Sequence, residues 1–142
     1  MADSTNTDRV EFELVSPQKL LKSEPVEMVV VPGAEGDFGV LPGHSLLIAT
    51  VRPGVIDIHE GGQVRESIFV SGGFAEVSPD RCTVLAEEAI PVADIDKAAA
   101  EKRLDDAKAA LAKAAEDPES SAAALGRELK AAEAMVAAIP QS

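Results

Sequence analysis

The chain has 142 residues, 46 % of them hydrophobic, enough for about one domain with a core; only 3 % are aromatic, so that core is aliphatic. A net charge of −12 excludes a reader of phosphate backbones and is repelled by anionic lipid, so membrane association would have to run through another protein. The lone Cys82 excludes an internal disulfide and a multi-cysteine metal site, and no apolar run approaches the ~18 residues of a membrane span.

The opening MADSTNTDRV is polar and acidic, unlike a signal or Arg-rich transit peptide, and predicts a chain that stays where it is made. Val10, Phe12 and Leu14 then alternate with Glu11 and Glu13, the period-2 pattern of a half-buried strand. Val26, Met28 and Val30 predict the next strand, up to the Pro32-Gly33 break. LLIATV (46–51), VIDIHE (55–60), QVRESIFV (63–70), FAEVS (74–78) and RCTVLAEE (81–88) follow. Gly61-Gly62 predicts a tight hairpin, and Pro53-Gly54 and Pro79-Asp80 predict turns. Within RCTVLAEE, Cys82 alternates with Val84 and Ala86 and reads as a small buried hydrophobe. Short strands at this spacing predict an all-β sandwich or barrel.

The grammar changes near Ile90-Pro91, where alanine and charge take over. Ala100, Leu104, Ala107, Leu111 and Ala114 form one narrow helical seam; Ala122, Leu125, Leu129, Ala132, Val136 and Ile139 form another. Asp94 is the expected N-cap of the first helix, and Asp117-Pro118 the expected start of the second. The short connection predicts an antiparallel hairpin. Its large apolar residues are few, so it should depend on contact with the β half and be able to detach from it. Acidity concentrates in residues 1–90, with 6 Lys/Arg against 15 Asp/Glu; residues 91–142 carry 7 against 10.

A search for chemistry returns little. His44 and His59 are the only histidines, and neither has a second His or Cys nearby in sequence to complete a metal set. His59 ends a strand and is expected to be solvated. Gly36-Asp37-Phe38-Gly39 and Ser71-Gly72-Gly73-Phe74 open no helix and lack a Walker lysine. Gly72-Gly73 is better explained by a bulge or a close backbone approach. The consecutive carboxylates Glu87-Glu88 and Asp105-Asp106 diverge and read as solvated. Three readings stay open on residues alone: a shaped contact loop around 35–47, a small binding module that dimerises through its hairpin, and a hydrolase using His44.

The order EGDFGVLPGHSLL (35–47), RPGVIDI (52–58), FVSGGFAEV (69–77), TVLAEEAI (83–90) and an alanine-rich two-helix tail resembles the epsilon subunit family of bacterial F-type ATP synthase (called delta in mitochondria). The resemblance covers residues ~10–139. It implies an α+β fold: a ten-stranded β-sandwich in residues 1–90, followed by an antiparallel two-helix hairpin in 91–142. It further implies a non-catalytic rotor subunit of the central stalk that clasps gamma, rests on the c-subunit ring and couples its rotation to ATP synthesis. The expected location is peripheral, on the cytoplasmic face of the bacterial inner membrane, without direct lipid insertion or nucleic acid.

By the same resemblance, Glu35, Gly36, Asp37 and Phe38 would meet the c ring and His44 would face gamma. Neither catalytic residues nor a metal are implied. Some members bind ATP through an I/L-D-x-x-R-A motif, which here reads Ile95, Asp96, Ala99 and Ala100, with Ala99 where the arginine belongs. A methyl group cannot replace a phosphate-facing guanidinium, so no nucleotide cofactor is expected. In some members the hairpin also enters the alpha/beta hexamer transiently and inhibits hydrolysis. From residue 121 onward Arg127 and Lys130 balance Glu128 and Glu133, so weak capture and little inhibition are expected.

Overall fold

The computed structural model describes residues 8–116 and 122–140. Ten strands come first: β1 Val10–Val15, β2 Leu20–Val26, β3 Met28–Gly33, β4 Gly36–Val40, β5 Leu47–Val51, β6 Gly54–Glu60, β7 Gln63–Val70, β8 Gly73–Ser78, β9 Arg81–Ala86 and β10 Ala89–Pro91. A 3-10 turn at Val92–Asp94 leads into two helices, α1 Lys97–Ala114 and α2 Ala122–Ala138.

The strands form one continuous sheet in the order β10-β7-β6-β3-β5-β8-β9-β1-β2, with β4 added to β3. The sheet folds over on itself, and its inner face closes around an aliphatic core of Val10, Phe12, Leu14, Val29, Val31, Ile56, Ile58, Val77 and Val84 with their neighbours. The alternation expected of β1 holds: Val10, Phe12 and Leu14 are buried and Glu11 is exposed. Cys82 is fully buried, and burial pushes its thiol up to about 12. No charged or polar side chain is buried among the described residues.

Several strand readings need correction: the residue pattern indicated neither β2, β4 nor β10, and one expected strand is broken. Val26, Met28 and Val30 do not share one strand. The chain breaks at Glu27, and beyond it Val29 and Val31 point inward in place of Met28 and Val30. The preceding strand, β2, is masked in the sequence by Lys22, Glu24 and Pro25. It lies at the end of the sheet and pairs only with β1, where the missing N–H of Pro25 is tolerated. His59 is half-buried opposite Met28 on β3.

The turn chemistry follows expectation at Gly61-Gly62 and at Pro79-Asp80, but not at Pro53-Gly54, where the chain only bends at Pro53 and Gly54 already opens β6, paired with Val70. Gly61 and Gly62 adopt φ of 62° and 77°, the left-handed pair that a two-residue β6–β7 hairpin requires. At Gly73 the constraint is steric: an added Cβ would lie 1.9 Å from the carbonyl oxygen of Leu85 on the paired strand.

The N-cap of α1 is Asp96, not Asp94. Asp96 is extended, and its Oδ1 accepts from the N–H groups of Ala98 and Ala99 at 3.0 and 3.3 Å. Asp94 closes the 3-10 turn instead. The expected start of the second helix at Asp117-Pro118 lies outside the described residues. The two helices pack against each other, but Leu104, Leu111, Leu125 and Leu129 of the seams are only half-buried. The best-buried helical residues are Ala100, Ala107, Ala131, Ala132 and Met135. Ala100 and Met135 belong to a second, smaller cluster centred on Phe69, with Ile90, Ile95, Val136 and Ile139 around it. Phe69 lies between Ile68 and Val70, which both point into the sandwich, so it faces outward and is covered by the hairpin.

Candidate docking surface

The stretch 35–47 forms two separate features. The first is the β3–β4 turn. Gly33 pairs with Gly36 across it, and Asp37 pairs with Pro32. Gly33 is required because an added Cβ would lie 2.7 Å from the Gly36 carbonyl oxygen and 3.0 Å from the ring of Phe38. Glu35, Gly36 and Asp37 are exposed at the tip, whereas Phe38 is half-buried and packs on the sandwich core. Phe38 thus supports the tip from below more than it extends from it.

Residues 50–52 brace this turn. The Ala34 N–H donates to the Thr50 carbonyl at 2.8 Å, and the Arg52 N–H donates to the Pro32 carbonyl at 2.9 Å. The Arg52 guanidinium donates to the Gly33 carbonyl at 2.5 Å and to Asp37 Oδ1 at 2.6 Å. Asp37 therefore has an internal cationic partner and is held in place, while Glu35 stands at the apex. The Asp37–Arg52 pair is exposed and worth at most about 1 kcal/mol, so its effect is on shape more than stability.

The second feature is the loop carrying His44. Gly43, at φ 87°, donates its N–H to the Pro79 carbonyl at 2.6 Å, and the His44 N–H donates to the Leu41 carbonyl at 3.2 Å. His44 Nδ1 lies 2.7 Å from the Ser45 carbonyl oxygen. No serine hydroxyl or carboxylate is hydrogen-bonded to its ring among the described residues, so the pairings of a nucleophilic site are missing there. Strand β5 separates the two features. Its first residue, Leu47, pairs with Val77 near the Pro79 turn, and its last, Val51, pairs with Gly33 beside the acidic tip. Five strand residues span about 16 Å.

Sequence reasoning missed an apolar surface on the outer face of the same strands. Leu46 and Ile48 are 79 % and 75 % exposed, and Phe74 and Leu85, 58 % and 54 % exposed, are cross-strand partners. The signal was present: if Cys82, Val84 and Ala86 point inward, Leu85 must point out. Phe74 and Leu85 also line a cleft of ~1050 Å³ whose opposite wall is α2, with Ala124, Arg127, Glu128 and Lys130. Glu76 and Thr50 lie between these apolar side chains in the strand register, and exposed apolar residues grouped in this way suit a protein contact.

The residues of the degenerate nucleotide motif are used within the fold. Ile95 and Ala100 pack in the Phe69 cluster, Asp96 caps α1, and Ala99 is exposed. The nearest arginine, Arg103, is engaged by two carboxylates: its Nε and Nη2 donate to Glu128 at 2.8 and 3.0 Å, and its Nη1 donates to Glu88 at 3.0 Å. These contacts hold Glu128 below the usual carboxylate range and raise Arg103 further. Glu88, expected to be solvated, is thus a partner across the junction between sandwich and hairpin. No group of three His, Cys, Asp or Glu residues is poised for a metal among the described residues, and no described helix is long and apolar enough to cross a membrane.

Residues 9–92 match the family model of the ATP synthase delta/epsilon chain, β-sandwich domain. The ATP synthase epsilon chain of Paramagnetospirillum magneticum is 58 % identical over 132 residues, covering 93 % of this chain and 98 % of the relative. That of Rhodospirillum rubrum is 53 % identical over 138 residues, covering 97 % and 98 %. Among solved structures, a chain of the Euglena gracilis mitochondrial ATP synthase (OSCP/F1/c-ring, rotational state 1) superimposes with a TM-score of 0.77 at 27 % identity, covering 97 % of this chain and 86 % of that one. A sandwich of this strand order with a two-helix tail, matched end to end by such relatives, makes the chain a member of the ATP synthase delta/epsilon family, a non-catalytic subunit of that enzyme.

Proposed function

We propose that this chain is the rotor subunit that joins gamma to the c-subunit ring in the central stalk of a proton-translocating ATP synthase. The observation that carries the reading is the separation of two unlike surfaces by the length of β5. At one end stands the braced acidic turn of Glu35, Gly36 and Asp37, with Phe38 beneath it. At the other stands the loop of His44, continuous with exposed Leu46 and Ile48. A coupling element needs two contacts on one rigid body, so that torque at one is felt at the other.

The acidic end suits the polar loops of the c ring, where a carboxylate finds cationic or amide partners. The His44 end, with its apolar neighbours, suits gamma. The sandwich of residues 1–90 is then the docking body, and residues 91–142 form a hairpin that reaches the alpha/beta hexamer only transiently and inhibits little. ATP is not held: Asp96 is committed to capping α1, Arg103 is committed to two carboxylates, and Ala99 offers no cation. Calorimetry with ATP is expected to give no saturable heat at micromolar concentrations. The subunit sits peripherally on the cytoplasmic face of the bacterial inner membrane, held there by protein.

The direct test is a pull-down from detergent-solubilised membranes of the source organism, with a tagged copy replacing the native chain. Gamma, alpha, beta and c are expected together, with ATPase activity in the eluate. A tagged chain that stays soluble and alone overturns the reading. Deleting residues 91–142 is expected to change hydrolysis by less than about two-fold; a several-fold rise would show that the hairpin inhibits.

A further inference from the structure

Among the described residues, contacts of two kinds hold the hairpin to the sandwich. One is apolar: Met135 and Ala100 rest on Phe69. The other is ionic and runs through a single side chain. Arg103 projects from α1, takes Glu128 of α2 with a two-pronged grip and reaches Glu88 of the sandwich with its remaining nitrogen. Between the outer sheet face and α2 lies the open cleft of ~1050 Å³, so the N-terminal half of α2 has little apolar contact with the sandwich. Arg127 and Lys130 line that cleft, but neither forms an ion pair with a described residue. Glu87 lines it too and adds negative charge.

We propose that Arg103 is the latch that keeps the hairpin closed on the sandwich, by neutralising Glu88 and Glu128 on the two sides of the junction. The arrangement is two acids around one cation. With Arg103 in place the junction is attractive. Without it, Glu88 and Glu128 both lose their paired counter-charge, and only Arg127 and Lys130 of the cleft remain to offset the acids, so the attraction that closes the junction is weakened. Lysine is a poor substitute, because one ammonium cannot reproduce a planar fork that faces two carboxylates from different elements. Glu88 and Glu128 have separable tasks. Glu88 ties the hairpin to the body, whereas Glu128 ties α2 to α1. Losing Glu88 should therefore free the hairpin as a unit with its helices still paired.

The test uses the isolated full chain, so its outcome does not depend on the proposed place in the rotor stalk. Spin labels at Thr50→Cys and Ala123→Cys, both exposed, report the width of the cleft. Cys82 can stay, because its buried thiol is inert to labelling. The unmodified latch is expected to give one short-distance population. Arg103→Ala is expected to raise a longer-distance population at least five-fold, and Glu88→Gln to raise it less, with helix content unchanged.

Salt separates a latch from mere packing. Raising NaCl from about 0.05 M to about 1 M should widen the cleft with Arg103 present and move it much less in Arg103→Ala, because the variant has already lost the main attraction that salt would screen. Identical distances in Arg103→Ala, Glu88→Gln and the parent chain would overturn the latch and leave the Phe69 cluster as the sole clasp. A salt response of the same size in parent and Arg103→Ala would overturn it too.

Discussion

The sandwich and the hairpin solve the same problem, holding secondary structure together, with different materials. In the sandwich, strands bring β-branched side chains from many parts of the chain into one aliphatic core, and Val10, Val29, Ile56, Ile58 and Val84 are wholly buried. In the hairpin, alanine supplies helix propensity but little area to bury, and the leucines of its seam stay half-exposed. The sandwich is therefore stabilised by its interior, and the hairpin by its attachment. An alanine-rich helix is easily formed and weakly held, a combination suited to an element that changes partners.

The sharpest way to break this contrast is to weaken each region where it is strongest. Phe12→Ala, at the centre of the sandwich core, is expected to cost about 3–5 kcal/mol and to lower the denaturant midpoint of the whole chain, because the hairpin loses its floor with it. Met135→Ala, on the Phe69 cluster, is expected to cost about 2–3 kcal/mol, and the loss should fall on the helices. Circular dichroism at a helix wavelength would then melt earlier than a label within the sheet. A single shared transition in both variants would erase the distinction.

Acid offers a milder probe. Hydrogen bonding to Arg103 lowers Glu128, and hydrogen bonding to Arg81 lowers Glu13, below the ordinary glutamate value. A carboxyl with a depressed folded-state value contributes stability above its unfolded value and loses that contribution as pH falls through the folded one. Both contacts should thus hold at pH 5 and above and fade below about pH 4, the hairpin loosening through Glu128 while the sandwich core, which buries no carboxylate, persists. The smallest stability effect is expected from Arg52→Ala. It removes an exposed pair worth at most about 1 kcal/mol and leaves melting nearly unchanged, yet frees the turn at Asp37. Weaker recovery of c subunits in the pull-down with an unshifted melting curve would assign Arg52 to shaping the acidic tip.

How much of this was legible in the residues depended on whether a signal was local. Strand β1, the Gly61-Gly62 hairpin and the burial of Cys82 follow from neighbours a few positions apart, and each stands as read. The close approach at Gly73 was legible as a glycine with no turn to explain it, though not the partner, Leu85. Strand β2 was hidden because Lys22, Glu24 and Pro25 suit a sheet edge and mimic a loop. Asp94 and Asp96 are equivalent as caps on composition, and only the 3-10 turn decides between them. Of the candidate site, the exposed tip was readable, but Asp37's pairing with Arg52 was not. Arg103 was the least legible of all, since its partners lie 15 and 25 residues away and converge only in the folded chain.

The pairing of β1 with β9 has a consequence for synthesis. These strands run parallel, and Glu13 meets Thr83 across a separation of 70 residues. A ribosome adding ~5–20 residues per second needs about 4–14 s to deliver the second strand after the first. Through that interval Val10, Phe12 and Leu14 have no completed interior to enter, and the nascent chain must wait with its first strand paired to β2 alone. The helices emerge only once the sheet can close, onto a surface that already exists. A chain interrupted before Arg81 would be an unfinished fold and not a smaller subunit, whereas one interrupted after Pro91 would have every strand it needs.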